Sequence, residues 1–181
     1  NVYEDWMLAS DFFYETKISL FTASKNNFLL ENNSKLTIGI ISKDYKDIIL
    51  KEFPNANILI YEDYKDSVAA LTDNHIDLLF DDKLGVEYFV VQQNQFHLIK
   101  PIEKFSYLKK IHAISVSKEK IEIFNNGFLK IPISELLELE KKWILNKNEQ
   151  YFINFKRNIN LTKEEKEFLK NNQIKVSISN S

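Results

Sequence analysis

Asp81 and Asp82 form an acidic pair directly after an apolar, β-rich run at residues 76–80. A carboxylate at the end of a parallel strand faces the crevice in which α/β proteins hold ligands, where it can accept hydrogen bonds from a ligand. An aspartate at this point can also cap the helix that follows. Because side chains alternate along a strand, the two carboxylates are expected to point to opposite sides, which disfavours an acid/base dyad. Ligand contact and helix capping both stay open for Asp82.

Ser42 and Lys43 follow a second apolar run at residues 36–41. A strand-to-helix turn at this point would face the same crevice as Asp82, since the carboxyl ends of parallel strands lie on one edge of a sheet. The serine and lysine are therefore candidate ligand contacts. The alternative is ordinary turn chemistry with a solvated lysine.

Several kinds of chemistry are excluded or disfavoured by the residues present. The chain has no cysteine, so thiolate catalysis, disulfides and cysteine-ligated zinc are excluded. His75, His97 and His112 have no metal-ligand spacing, and neither an HExxH motif nor a G-x-S-x-G elbow occurs. The sequence therefore predicts no catalytic residue, no metal site and no cofactor.

Length and composition indicate a globular protein of about one domain. The 181 residues are 44% hydrophobic and 28% charged, so a packed core can form. The net charge is −2 and Arg157 is the only arginine, which disfavours nucleic-acid binding because arginine makes the bidentate contacts to bases and phosphates. No apolar run approaches the roughly 18 residues needed to span a bilayer.

The elements expected to position these residues alternate between strands and helices. Three apolar runs, at residues 36–41, 57–61 and 76–80, are predicted to be strands buried on both faces. Helices are predicted between and after them, at residues 44–53, at 64–72 with Asp63 as N-cap, and after Asp82. This order predicts a parallel α/β unit.

The flanking segments predict a second lobe joined to this unit by two strands. Alternating strands are expected at residues 17–22 and 110–116, followed by helices at 119–125 and 134–145. The last helix should have an apolar face, listed as Leu136, Leu137, Leu139, Trp143 and Ile144, with Trp143 in the core. Beyond a linker, Thr162 and Glu165 match a capping box, and residues 174–178 alternate like a strand.

Four segments in this order resemble the periplasmic solute-binding proteins of the polar amino-acid type, which have the Venus flytrap fold. They are residues 9–14 (ASDFFY), 37–42 (TIGIIS), 77–82 (DLLFDD) and 112–118 (HAISVSK). The resemblance implies an α/β, periplasmic-binding-protein-like (class II) fold of two lobes. Residues 161–178 resemble the opening of another flytrap domain in tandem sensor proteins, such as histidine kinases and diguanylate cyclases.

The resemblance also implies a division of the chain. Residues 1–23 would hold the end of lobe 1 and the first hinge strand, 24–104 lobe 2, and 105–146 the return strand and the C-terminal helices of lobe 1. A linker at 147–161 and the start of a second flytrap domain at 162–181 would follow. The N-terminal half of lobe 1 would be absent from the chain.

Ligand contacts carried over from the family fall on residues of both lobes. Asp82 matches the carboxylate that binds a ligand ammonium group, and Ser42 and Lys43 lie in the turn that binds the ligand carboxylate. Ser10, Phe13 and Tyr14 lie at the hinge, where aromatic rings can stack on a ligand or simply form core.

Three departures from the family pattern make a free α-amino acid a less expected ligand. No arginine precedes Arg157, so the usual carboxylate clamp, expected near Tyr3, is missing. Phe12 replaces a proline, and residues 42–44 replace a Gly-Thr type of loop.

The function predicted is that of an extracytoplasmic sensory module of a bacterial transmembrane signalling protein. A small solute would stabilise the closed state of the two lobes, without catalysis. The chain would be periplasmic and tethered to the inner membrane through other parts of the full-length protein. Apolar strand faces left uncovered also predict a homodimer or a domain swap.

Three alternatives stay open at this stage. One is a degenerate flytrap that serves only in assembly, and another is the solute-binding component of an ABC transporter. The third is a receiver-like or enzyme domain with an acidic pocket at Asp81 and Asp82, although the long C-terminal stretch does not fit it.

Overall fold

A computed structural model describes residues 7–26, 35–144, 146–153 and 163–172. The strands are β1 Leu8–Ala9, β2 Tyr14–Ala23, β3 Thr37–Ile40, β4 Asn57–Ile60, β5 Leu78–Asp82, β6 Ile99–Ile111 and β7 Ile114–Ser115. The α-helices are α1 Lys46–Glu52, α2 Tyr64–Thr72, α3 Lys83–Gln92, α4 Lys118–Lys130, α5 Ile133–Trp143 and α6 Lys163–Asn171. Within these ranges no helix is both long and apolar enough to cross a membrane.

Five strands form one mixed sheet in the order β4-β3-β5-β2-β6. β3 is parallel to both β4 and β5, so the predicted parallel unit is confirmed. β2 runs antiparallel to β5 and to β6, and the long β2–β6 ribbon brings the chain into the sheet and out of it. We call the sheet together with α1, α2 and α3 the main lobe. β1 and β7 form a separate two-stranded sheet.

The core of the main lobe divides into two clusters, because side chains alternate along the strands. One cluster joins Leu79 of β5 to α2 and α3, and its members include Phe21, Leu71 and Val86. The other joins Leu78 and Phe80 to the α1 side of the sheet. β2 and β5 are therefore covered on both faces, and β2 is buried continuously from Ile18 instead of alternating as predicted.

The second helix begins at the predicted residue, whereas α1 begins two residues later than predicted, at Lys46. α1 is preceded by a 3₁₀ turn over Lys43–Tyr45, and it buries Tyr45 and Ile49 on the predicted face. α2 begins at the predicted residue, with the Asp63 side chain accepting a hydrogen bond of 2.9 Å from the Asp66 amide.

Two strands differ from the prediction because each lies at an edge of the sheet. β4 was expected to be buried, but Ile60 is 50% exposed because nothing pairs with its outer side in the described residues. β6 runs over Ile99–Ile111, and only its end lies in the strand predicted at 110–116. Ile114–Ser115 of that predicted strand form β7, which pairs with β1, and residues 112, 113 and 116 lie in no strand.

α4 and α5 confirm the predicted helices with shifted ends, but the predicted apolar face of α5 is only partly buried. Leu136 is buried, whereas Trp143 is 64% exposed and therefore does not belong to the core. α6 lies where a capped helix was predicted. Its expected cap, Thr162, and the strand expected at 174–178 lie outside the described residues.

Gly39 of β3 lies where neighbouring side chains leave no free space for a Cβ. A Cβ there would lie 2.6 Å from Ile76 Cδ1 and 3.0 Å from the Tyr61 ring, so Gly39→Ala should lower the free energy of unfolding by about 1–3 kcal/mol. Gly127 is the control, because a Cβ there meets nothing within 4 Å in helix α4. Gly127→Ala should stabilise by about 0.5–1 kcal/mol. Equal effects in urea denaturation would contradict the packing argument.

Candidate functional site

Charged and polar side chains gather where the carboxyl end of β5 meets the start of β2 and the end of β6. In the antiparallel registers Asp82 pairs with Ile18, and Thr16 pairs with Lys109. The 3₁₀ turn after β3 adds Tyr45 from the neighbouring strand end. We call Asp81, Asp82, Thr16, Tyr45 and Lys109 the Asp82 site.

The Asp82 carboxylate both caps α3 and contacts β2. Its Oδ1 accepts a 3.0 Å hydrogen bond from the Gly85 amide, so the predicted N-cap is confirmed. Its Oδ2 accepts a 3.2 Å hydrogen bond from the Thr16 hydroxyl. A carboxylate offers about four acceptor positions, so these two bonds leave Asp82 able to accept others.

Asp81 is buried and ties the ends of two strands together. Its two oxygens accept hydrogen bonds from the Ile41 amide at 2.9 Å and from the Asp82 amide at 2.8 Å. Burial raises the pKa of Asp81, although the two amide bonds act in the opposite direction. Asp81 therefore has a structural role in holding β3 beside β5.

Lys109 supplies the positive charge of the site. Its Nζ donates a 2.9 Å hydrogen bond to the Tyr45 hydroxyl and lies 5.2 Å from the centre of the Tyr45 ring. Burial alone would lower the pKa of Lys109, but the bond to Tyr45 and the charges of Asp82 and Asp81 together raise it. The site thus presents an ammonium group close to carboxylates.

Ser42 and Lys43 lie in the turn that follows the strand end held by Asp81. The Ser42 hydroxyl accepts a 3.4 Å hydrogen bond from the Asp44 amide, which is the predicted turn chemistry. Lys43 is exposed. Contact of either residue with a ligand stays a prediction.

Ser10 and Phe13 pack the chain entering β2 against the elements that follow β6. The buried Ser10 hydroxyl accepts a hydrogen bond from the Ala113 amide at 2.9 Å. The Phe13 ring lies 5.3 Å from Phe124 and 5.6 Å from Phe128 of α4, measured between ring centres. These contacts give both residues a packing role, and ligand contact by them stays a prediction.

Tyr14 lies between the Asp82 site and α5. Its hydroxyl donates a 2.7 Å hydrogen bond to Glu140, and its ring packs on Tyr151 and Phe152. Burial raises the pKa of Tyr14, and the negative charges of Glu140 and Asp82 raise it further. Tyr14 is thus a neutral donor.

A second group of charges, which the sequence analysis did not single out, surrounds Lys83 at the start of α3. Lys83 is only 4% exposed, and its Nζ lies 2.9 Å from Glu149, 3.3 Å from Glu103 and 3.9 Å from Glu87. Glu149 also pairs with Lys17 of β2 at 3.0 Å. Burial alone would raise the pKa of Glu149, but the bonds from Lys83 and Lys17 lower it.

A small cavity of about 160 Å³ lies beside this second group. Its walls include Thr16 and Lys17 of β2, Leu84 of α3 and Glu149. A larger, mostly apolar groove of about 340 Å³ lies between α3 and the end of α5, with Trp143 on its rim. The described residues contain no cluster of His, Asp and Glu able to hold a metal ion.

No protein-family model and no curated protein sequence matches this chain. Three similar solved structures are the periplasmic VFT2 domain of BvgS from Bordetella pertussis, a cysteine-binding protein from Campylobacter jejuni, and the arginine-, lysine-, histidine-binding protein ArtJ from Geobacillus stearothermophilus. Their identities to this chain are 10%, 17% and 17%, with TM-scores of 0.59, 0.61 and 0.60.

These likenesses confirm the predicted Venus flytrap fold. The matches cover 76%, 76% and 77% of this chain. The chain spans only 60%, 57% and 63% of the three matched chains.

Proposed function

We propose that this chain is an extracytoplasmic sensory module that binds a small solute at the Asp82 site and signals by hinge closure. The observation that carries the proposal is the position of the site. Asp82 ends a parallel strand, while Thr16 and Lys109 belong to the β2–β6 ribbon on which the lobes would turn. A ligand held there contacts the lobe and both connecting strands at once.

The charges of the site suit a solute with two kinds of polar group. Asp82 would accept a hydrogen bond from an ammonium group of the solute. Lys109 would bind an acidic or carbonyl group of the solute, in place of the clamp arginine that this sequence lacks. Ser42 and Lys43, in the turn after β3, are proposed as further contacts. Two matched proteins of the same fold are named for binding amino acids, which supports this ligand class.

Closure would follow from a difference in affinity between two states. A solute that contacts both lobes binds the closed state more tightly and shifts the population toward it. The periplasmic VFT2 domain of BvgS, which has the same fold, supports an extracytoplasmic location. The division of the chain into lobe 1, lobe 2, a linker at 147–161 and a second flytrap domain belongs to this proposal.

A thermal-shift screen of amino acids, carboxylates and polyamines tests the binding site. A solute at about 100 times its Kd stabilises by roughly 2.7 kcal/mol, which is a shift of several degrees. We expect Asp82→Ala to weaken binding about tenfold or more, because a hydrogen bond to a charged group is lost. Lys109→Met should weaken the binding only of solutes that carry an acidic or carbonyl group.

Lys110→Met is the matched control for Lys109. The Lys110 ammonium group lies over the Phe12 ring at 4.5 Å, and the residue is exposed. Binding in this variant should equal that of the unmodified chain. A solute whose Kd is unchanged by both Asp82→Ala and Lys109→Met would contradict the proposed site.

A ligand-free assembly module is the second candidate, and one observation favours it. The Asp82 carboxylate already accepts hydrogen bonds from Gly85 and Thr16, and Lys109 donates one to Tyr45, so each charged group of the site has a partner within the protein. No shift across the screen, together with a dimer in light scattering, would support this function.

A further inference from the structure

Lys83 joins the Asp82 site to a distant part of the chain. Asp82 is the last residue of β5 and Lys83 is the first residue of α3, so the two residues are adjacent at the strand–helix junction. The Asp82 side chain turns to Gly85 and Thr16, while the Lys83 ammonium group contacts Glu149 at 2.9 Å. Glu149 lies after α5, in the segment that leads toward α6.

The segment around Glu149 is fastened at several points. Lys17 of β2 holds the second oxygen of Glu149 at 3.0 Å. Glu140 of α5 accepts hydrogen bonds from the amides of Tyr151 at 2.6 Å and Phe152 at 2.9 Å. Two acidic side chains therefore hold the segment, and both contact the main lobe: Glu149 through Lys83 and Lys17, and Glu140 through Tyr14 of β2.

We propose that Glu149 is a positioning residue for Asp82, acting through Lys83, and that this contact carries a change at Asp82 to the segment leading to α6. The sensory meaning of this coupling rests on the proposed function, whereas the coupling itself needs no ligand.

The physical reason is the cost of removing the nearest partner of a buried charge. The Lys83 side chain is 5% exposed and that of Glu149 9% exposed, so breaking their contact would take the nearest partner from each of two poorly solvated charges. Glu87 and Glu103 also face Lys83, but they lie farther away, and the Glu103 side chain is 71% exposed. If the β5–α3 junction moves, Glu149 should therefore move with it.

Hydrogen exchange on the full chain tests the coupling in both directions. The Gly85 amide reports on Asp82, whose side chain it contacts, and the amides of Tyr151 and Phe152 report on the outgoing segment. Glu149→Gln should speed exchange of the Gly85 amide about fivefold, and Asp82→Ala should speed exchange of the other two amides, because coupling is reciprocal.

Glu103→Gln is the matched control, since it removes an exposed carboxylate from the same lysine. It should leave the Gly85 amide within about twofold of the unmodified chain. In a Lys83→Met background, Glu149→Gln should have no further effect on Gly85, because the pathway through Lys83 is already absent. Thermal melting of each variant separates local from global loss of stability.

Unchanged exchange at Gly85 in Glu149→Gln would overturn the proposal, as would an equal effect in Glu103→Gln or a full effect in the Lys83→Met background. None of these outcomes bears on whether a solute binds, which the thermal-shift screen decides. A failure of the coupling and a failure of the proposed function are thus distinguishable.

Discussion

Replacement of Phe80 by alanine is expected to lower the free energy of unfolding by about 3–5 kcal/mol. Phe80 is 1% exposed, and its ring lies between those of Tyr45 and Tyr107, each 5.7 Å away and nearly perpendicular. Truncation removes these contacts and leaves a cavity that the strands on either side cannot close. The melting temperature should fall by about 10 °C in a protein of this length.

Phe96→Ala is the control for this prediction. Phe96 is 60% exposed, so its loss should change the stability by less than about 0.5 kcal/mol. Urea denaturation followed by circular dichroism measures both variants. A similar loss in the two would mean that Phe80 does not lie in a packed core.

Replacement of Glu140 by leucine is expected to cost about 3 kcal/mol or more. The buried carboxylate accepts hydrogen bonds from the Tyr14 hydroxyl and from two backbone amides of the segment after α5. Leucine removes the acceptor of all three hydrogen bonds, and the loss of each costs about 1–3 kcal/mol where the donor is buried. Denaturation by urea measures the loss, and hydrogen exchange at Tyr151 and Phe152 should localise it.

Two further variants distinguish the stability lost with the hydrogen bonds from any effect of introducing an apolar side chain. Glu138→Leu alters an exposed residue of the same helix and should change stability by less than about 0.5 kcal/mol. Glu140→Gln keeps one acceptor oxygen and should give an intermediate loss. If Glu138→Leu destabilised as much as Glu140→Leu, the hydrogen bonds of Glu140 would not be the cause.

The parallel unit could be predicted because its signals are local. The strand runs are short and apolar, and the aspartates at 63 and 82 cap the helices that follow them. Most of β6 escaped prediction because Lys, Glu and Ser are interspersed along an edge strand that is half exposed. Pro101 also argues against a central strand, and its place at the edge is the one that a sheet tolerates.

The candidate site could be predicted only where one residue carried the signal. Asp82 was singled out because an acid at a strand end is visible in the sequence. Lys109, Lys83 and Glu149 were not, since their roles depend on the pairing of elements far apart in the chain. Glu149 in particular lies where the sequence predicted the start of a linker.

The β2–β6 ribbon also has a consequence for how the main lobe folds and for how it can be moved. Tyr14 and Ile111 are paired across the ribbon, so the chain enters and leaves the lobe at one place. Closing so long a loop is entropically slow, and pairing of β6 with β2 should therefore complete folding instead of nucleating it. Adjacent entry and exit points are also what domain insertion and circular permutation require. The lobe could thus be excised, joined end to end, or transplanted into the loop of another protein as one unit.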